Sequence, residues 1–335
     1  GGGLKLQLRP PEPCRYNRAF SPLPSMQVFR GIPERSDHGC VLSIGNFDGV
    51  HRGHQALLAK LTAKSRATGL PSAVLTFEPH PREYFTHENR PIRLTSLREK
   101  ILRIAGQGVD RLYIGRFNAR FAALTAEQFI EDILIRGLCA RHLMIGDDFR
   151  FGKGRQGDFA MLEATGKTVG FSVEAMHTLV HEGERVSSSA VRAALAEGDM
   201  PHAARLLGRP YSISGRVMHG DKIGRSIGFP TANIQLKHRS PPLMGIYTVS
   251  VEGLADKPWP GVASVGVRPT INDAGRPTLE VHLFDWTAEC YGAHLKVNFL
   301  AKQRDEERYD TLEALTAQIA RDADQARAYF AQNPL

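Results

Sequence analysis

Cysteine is scarce in this chain and widely scattered. Cys14, Cys40, Cys139 and Cys290 are the only four, with no Cys-x-x-Cys among them. That spacing supports neither a zinc site nor a disulfide framework, and it matches a reducing, cytoplasmic setting. No apolar run approaches the roughly 20 residues that span a bilayer. Residues 1–25 carry Arg and Pro but no apolar core of a secretion signal, so no membrane partner is expected. Long Lys/Arg runs and basic–aromatic interleaving are also missing. The basic surplus, 43 Lys and Arg against 35 Asp and Glu for a formal charge of +8, therefore fits small polyanions better than nucleic acid. With 335 residues, 42% hydrophobic and 23% charged, the composition is that of a globular chain of two domains.

What is present centres on residues 41–55. A short apolar, β-branched run at 41–44 reads as a buried strand. Gly45, Asn46, Asp48 and Gly49 then crowd into a tight turn. From His51 onward the pattern is helical, with Leu57, Leu58 and Leu61 at helix spacing. Such a strand–turn–helix unit brings free N–H groups and the positive end of the helix dipole to one point, which attracts anions. His51 and His54 share a face of the opening turn, and Gly53 between them leaves room for a ligand at the backbone.

Val28 and Phe29 read as an edge strand. Further strands at 73–77, 111–114 and 142–145 alternate with helices at 55–68, 96–106 and 125–136. Thr125 with Glu127 and Gln128 is close to a capping box without its strict spacing. The alternation predicts a parallel sheet covered on both faces, with ligands beyond the carboxyl ends of its strands. Two loops fall there. In Phe-Glu-Pro-His-Pro at 77–81 the prolines stiffen the backbone around His80. At 146–152, Asp147, Asp148 and Arg150 are interleaved with Phe149 and Phe151. Two phosphate-loop look-alikes are discounted: Gly152-x-Gly154-x-x-Gly157 follows a polar loop, and Gly166-Lys167-Thr168 lacks its first glycine, Met161 standing in that place.

Ser187, Ser188 and Ser189, with Arg192 one turn on, open a helix that Gly198 closes. Serines there serve as caps or as a phosphate cradle. A short helix at 199–209 reads as a hinge. Beyond it the period becomes two, with strands at 211–217, 247–251, 262–267, 279–284 and 295–300, and five or six such strands predict a small antiparallel barrel. A closing amphipathic helix carries Leu312, Leu315, Ile319, Ala323, Ala326 and Phe330 as a core-packing stripe. The loop at 220–233 offers Gly220, Lys222, Gly224 and Arg225 to wrap phosphates. It ends in Pro-Thr-Ala-Asn, where Thr231 and Asn233 present neutral oxygens suited to Mg²⁺.

The string Gly-Asn-Phe-Asp-Gly-Val-His-Arg-Gly-His-Gln at 45–55 resembles the adenylyltransferase half of the bacterial bifunctional riboflavin kinase/FAD synthetase family, where His-x-Gly-His cradles the phosphates of ATP. Ser187-Ser188-Ser189-x-x-Arg192 resembles that family's second nucleotide motif, and 220–233 its riboflavin kinase module. Supporting matches lie at 245–247, 266–270, 279–282, 291–292 and 299–300. Departures are Ser264 for Asn, Glu289-Cys290 for Asp-Leu and Tyr309 for Phe.

The resemblance spans about residue 40 to the end. It implies an α/β fold: a Rossmann-like nucleotidyltransferase domain with a parallel sheet at 39–198, the hinge at 199–209, and a Greek-key β-barrel with a terminal helix at 210–335. An extension at 1–38 precedes them. It implies ATP as co-substrate, Mg²⁺ as cofactor, and riboflavin, FMN and FAD as ligands, and leaves open a transient transfer of flavin to apo-flavoproteins. Carried over by motif, Gly45, Asn46, Phe47, Asp48, Gly53, Ser187, Ser188 and Ser189 are expected at ATP, with His51, His54 and Arg192 catalytic. In the barrel, Gly220, Lys222, Gly224, Arg225, Thr231 and Asn233 are expected at phosphates, the last two also at Mg²⁺. His80, Asp148, Arg150 and Arg304 are expected at the flavin.

The two chemistries make different demands. Riboflavin's terminal hydroxyl must lose a proton to attack ATP, so the kinase half needs a base, and Glu280 matches. FMN's phosphate is already an anion, so adenylyl transfer rests on positioning and charge neutralisation by His51, His54, Ser188, Arg192 and Mg²⁺. One alternative is a nucleotidyltransferase for another phosphate ester with an accessory barrel, against which a second phosphate loop and base argue. Another is a barrel that binds RNA or stores flavin. The lack of stacking aromatics at alternate strand positions and the Mg²⁺-type ligands argue against it.

Overall fold

The computed structural model describes residues 26–86, 90–220, 224, 227–236, 240–267 and 277–335. Lys222, Arg225 and the 268–270 match fall outside the described residues. The anticipated first strand is β2 (Cys40–Ile44), buried at every position, as a strand covered on both faces must be. Its side chains alternate, Val41 joining one apolar cluster while Cys40, Leu42 and Ile44 join another. It belongs to a six-stranded parallel sheet with β1 (Gln27–Arg30), β3 (Ser72–Glu78), β4 (Arg111–Arg116), β5 (Ala140–Gly146) and β6 (Ser172–Met176), ordered β1-β4-β3-β2-β5-β6. The chain runs outward from β2 through β3 to β4, then resumes at β5 on β2's other side. The loop after β2 thus lies at the reversal of strand order, where α/β sheets bind ligands. Val28 and Phe29 form the expected edge strand. β6 was not anticipated.

α1 (Arg52–Thr68), α2 (Pro81–Phe85), α3 (Leu97–Ala105), α4 (Ala119–Ala122), α5 (Ala126–Gln128) and α6 (Phe159–Val169) cover the sheet. Two expectations are corrected between α4 and α6. Thr125 and Gln128 do close a strict capping box, each side chain bonding the other's backbone N–H. The expected single α-helix passes instead into a π-helix, Phe129–Gly137. Gly137 lets the chain pass close by, since a Cβ there would lie 2.9 Å from the Pro33 carbonyl. Both look-alike phosphate loops are structural: Phe151 bridges Gly157 around a short turn, and Gly166-Lys167-Thr168 lies inside α6.

A small hairpin, β7 (Val180–His181) and β8 (Glu184–Arg185), leads to α7 (Ser188–Glu197) and α8 (Met200–Leu207). Both helices end on a glycine in the left-handed conformation, Gly198 and Gly208. α8 buries Met200, Ala203, Leu206 and Leu207 in the same apolar cluster as Ile213, Val249, Leu295 and Phe299 of the barrel. Residues 199–209 are thus a packed connector.

The barrel comprises β9 (Tyr211–Met218), β10 (Thr231–Ile234), β11 (Gly245–Glu252), β12 (Trp259–Val267), β13 (Pro277–Leu283) and β14 (His294–Arg304), closed in the order β10-β13-β12-β11-β14-β9. β11 to β13 form a meander and β14 returns beside β11, which is a Greek key. β10, read from the sequence as the end of a loop, is the strand that completes closure. α9 (Leu312–Gln332) follows, but its apolar stripe packs only in part. Ala323 and Ala326 are buried against Ile246, Val262 and Phe284, with Phe330 half-buried, whereas Leu312 is exposed. No helix among the described residues is long and apolar enough to cross a membrane.

Candidate active sites

The first site forms where β2 turns into α1. His51 is the N-cap of α1, its Nδ1 accepting the His54 backbone N–H at 3.4 Å. The two imidazoles stack, centroids 3.7 Å apart, so the shared face read from their spacing is real. Burial pushes His51 down to about 4, with Asp48 opposing and Arg209 and Arg192 adding to the shift. Burial, the neighbouring His51 and Lys100 hold His54 well below its ordinary value. Both rings are therefore neutral at pH 7. As neutral rings they offer hydrogen-bond donors to an anion, whereas the sequence reading expects them to neutralise charge. His54 Nδ1 is buried with no hydrogen-bond partner among the described residues. Gly53 serves the ring, since a Cβ there would press on the His51 imidazole at 3.2 Å.

Two residues expected at ATP have buried side chains. Phe47 is fully buried, with its ring 5.0 Å from that of His54, so only its backbone can face a ligand. The Asp48 carboxylate is buried and saturated. It accepts from Leu94 N, Thr95 N, the Thr95 hydroxyl and, at 2.6 Å, Arg192 Nη2. This ion pair fixes the Arg192 guanidinium beside the loop. Arg192 Nε also donates to the Ile92 carbonyl. Ser188 Oγ donates to the Asp48 carbonyl at 2.9 Å, tying α7 to the loop. Ser187 is the N-cap of α7, accepting from Ala190 N; Ser189 is exposed. Gly45 packs beneath the Phe47 ring, and the Asn46 carbonyl accepts from Thr76 Oγ1. The N-termini of α1 and α7 thus meet at one loop, the arrangement that receives anions.

Sequence reasoning missed several groups here. Arg209 donates to the carbonyls of Val50, Leu207 and Gly49, and Gln55 to those of Val50 and Leu207. These bonds hold a loop in which Phe47 and Val50 adopt positive φ, which is strained for a β-branched residue. Burial brings Arg209 down to about 9. Nothing local marks it, because the loop carbonyls it holds, those of Gly49 and Val50, lie about 160 residues away. Lys100 of α3 is buried beside Thr76. An aromatic wall was missed as well: Phe77, Tyr84, Phe85, Phe117 and Phe121 contact one another at the ends of β3 and β4, with Phe85 64% exposed.

His80 caps α2, Nδ1 accepting from Arg82 N at 3.1 Å, and burial takes it down to about 4. Arg93 clamps both Glu78 and Glu83 beside it. Asp148 pairs with Arg185 at 3.0 Å, and Arg150 folds onto the Phe149 carbonyl; both are exposed at the end of β5.

The second site lies on the barrel. Thr231 and Asn233 share one face of β10, and Asn233 pairs in register with Glu280 of β13. Thr231 Oγ1 donates to Glu280 Oε2 at 3.4 Å. A Cβ on Gly220 would come within 2.2 Å of the Asn233 amide, and one on Gly224 within 2.3 Å of the Phe229 carbonyl, so these two positions admit only glycine unless their neighbours shift. Ser264, the departure from Asn, lies opposite Glu280 in β12 and donates to Glu306 at 2.9 Å. Arg304, expected at the flavin, is bound at 2.9 and 2.6 Å by the Asp322 carboxylate of α9, which is itself buried. No cluster of three His, Cys, Asp or Glu that could hold a metal occurs among the described residues. The neutral oxygens of Thr231 and Asn233 with one carboxylate form a donor set that fits Mg²⁺, which keeps waters and substrate phosphates as its other ligands.

A nucleotide-type α/β domain joined to a Greek-key barrel, each with a glycine loop beside polar side chains, defines a two-site phosphotransfer architecture. The chain matches the family model for FAD synthetase over residues 33–190 and that for riboflavin kinase over residues 207–330. It is 50% identical to the bifunctional riboflavin kinase/FMN adenylyltransferase of Escherichia coli K12 over 309 residues, 91% of this chain and 98% of the relative. The Pseudomonas fluorescens protein of the same name is 50% identical over 308 residues, again 91% and 98%. A solved structure titled macrolide-efflux protein, from Streptococcus pneumoniae, superposes with a TM-score of 0.78 at 29% identity, covering 90% of this chain and 98% of that one. The chain belongs to the bifunctional riboflavin kinase/FMN adenylyltransferase family.

Proposed function

We propose that the barrel, residues 210–335, phosphorylates riboflavin to FMN, and that the α/β domain, 39–198, adenylylates FMN to FAD, each at the expense of ATP. The observation that carries this reading is the chemical contrast between the two sites. A carboxylate at hydrogen-bond range of Thr231 stands on the barrel, while the helix-N-terminal site presents neutral imidazoles and Arg192. Glu280 takes the proton of the terminal ribityl hydroxyl as that oxygen bonds the γ-phosphorus and ADP departs. Thr231 and Asn233 would hold Mg²⁺, which would supply charge neutralisation on the ATP phosphates.

In the other domain an FMN phosphate oxygen bonds the α-phosphorus of ATP and the bond to the bridging oxygen breaks, releasing diphosphate. No proton has to move. The helix N-termini, the histidine N–H donors and Arg192 meet the charge. The aromatic wall of Tyr84, Phe85, Phe117 and Phe121 offers the flavin ring a stacking surface, with His80 at its edge. The packed connector joins the two activities, and the cytoplasm is the setting for ATP-dependent synthesis.

The test is to incubate the protein with riboflavin, ATP and Mg²⁺ and follow flavins by chromatography. FMN appearing first and FAD after it is the expected result. FMN alone overturns the assignment of the α/β site, and no conversion overturns both.

A further inference from the structure

Lys100 carries a buried ammonium that the protein leaves almost unpartnered. The residue is only 5% exposed. Among the described residues its hydrogen-bond acceptor is Thr76 Oγ1, at 3.5 Å, the long limit for such a bond. An ammonium has three N–H donors, so its bonding capacity is largely unused. The nearby carboxylates are committed elsewhere: Asp48 to Arg192 and the 94–95 backbone, Glu78 and Glu83 to Arg93. The adjacent Glu99 faces the barrel, accepting from Ser214 N of β9, and closes the capping box of α3. No carboxylate among the described residues pairs with Lys100 within 4.0 Å.

Its location gives this cation a purpose. Thr76 Oγ1 donates to the Asn46 carbonyl in the loop after β2, so Lys100 reaches that loop through one hydroxyl. The charge of Lys100 depresses both His54, in the phosphate cradle, and His80, beside the aromatic wall. The ammonium is therefore near enough to both histidines to act on them electrostatically. Adenylyl transfer brings two phosphate anions together, and with both cradle histidines neutral the site needs fixed positive charge besides Arg192. An unpaired buried cation is unfavourable on its own and becomes favourable once an anion arrives.

We propose that the Lys100 ammonium binds a phosphate oxygen of a nucleotide in the adenylyl-transfer site, taking there the acceptors it lacks in the protein. This rests on the adenylyltransferase reading above. The phosphate belongs either to the triphosphate of ATP or to FMN, and the experiment separates these.

Steady-state FAD formation is measured for the full chain and for Lys100→Gln, varying ATP and FMN in turn, with riboflavin phosphorylation and thermal melting as controls on the fold. The expected result is a fall in kcat/KM of about 10²-fold, the loss typical of one buried charge-stabilising donor. Riboflavin phosphorylation should stay within about twofold of wild type. A raised KM for ATP identifies the triphosphate, a raised KM for FMN the flavin phosphate, and either supports the proposal. Unchanged kcat/KM for both substrates overturns it. If Lys100→Gln melts early, Lys100→Arg decides, because it keeps the charge. Near-native KM values then support anion binding, whereas losses matching those of Lys100→Gln overturn it. Absence of FAD formation in the wild type overturns the adenylyltransferase reading itself. Calorimetric binding of inorganic diphosphate to wild type and Lys100→Gln then tests the lysine alone: weaker binding to the variant supports the proposal, and equal binding overturns it.

Discussion

Asp48→Asn removes one charge and almost no volume, which makes it a clean probe of what the carboxylate in the phosphate loop does. The side chain of Asp48 is 6% exposed and that of its partner Arg192 20% exposed, at 2.6 Å. Exposed ion pairs contribute about 0–1 kcal/mol, whereas removing one partner of a buried pair costs about 3–5 kcal/mol. This pair lies near the buried limit. Asn retains a carbonyl oxygen for Leu94 N or Thr95 N, but its amide N–H₂ meets the Arg192 guanidinium, two donors facing each other. We therefore expect a loss of about 3 kcal/mol from the α/β domain. Crossing Asp48→Asn with Arg192→Gln should give a coupling energy of about 1–3 kcal/mol. Urea unfolding followed by far-UV circular dichroism reads it. Fluorescence of Trp259 and Trp286, the two tryptophans, both in the barrel domain, reports separately on that domain, which matters because two domains need not unfold as one. FAD formation should fall in both single variants while FMN formation persists. Additive single effects, within about 0.5 kcal/mol, would show that Asp48 and Arg192 do not act as a unit and refute the reasoning.

Glu280→Gln should lower riboflavin phosphorylation by on the order of 10²–10⁴-fold while supplied FMN is still adenylylated; kinase turnover near wild type removes Glu280 as the base. His54→Ala should abolish FAD formation and leave FMN formation intact, and an equal fall in both contradicts two separate sites. His51 and His80 are each depressed to about 4 from an ordinary 6.5 by burial, and His54 shifts the same way. Between those limits the unfolded chain binds more protons than the folded one. Stability should therefore decline as pH drops from about 6.5 to about 4, with full stability above that window. Denaturant midpoints taken at pH 7 and pH 5 check this, and an equal or higher midpoint at pH 5 contradicts the buried, neutral histidines.

Much of the α/β domain was legible because its signals are local. Strand, turn, N-cap and helix between residues 40 and 68 are each set by neighbours within a few positions. The stacked histidines are an N-cap and a first-turn residue three positions apart, so their pairing is set locally as well. Capping residues such as Ser187 and Ser96 act on N–H groups three residues away. The barrel strands of five or more residues showed their period of two. β10 did not, because four residues after a glycine loop carry too little pattern; pairing with β13, some fifty residues on, makes them a strand.

The roles of charged and aromatic groups were decided by packing. Asp48 and Phe47 stand inside a nucleotide motif and read as ligand contacts. In the fold Phe47 fills the core, and Arg192, 144 residues away, takes the Asp48 carboxylate. Arg304 is claimed by Asp322 in the same way. Lys100, Arg209 and the aromatic wall have no local signature, since a buried cation matters through distant partners it has or lacks. Backbone preference and periodicity act over a few residues, so the order of residues alone carries them. Whether a charge meets a ligand or a counter-charge depends on which segments the collapsed chain brings together.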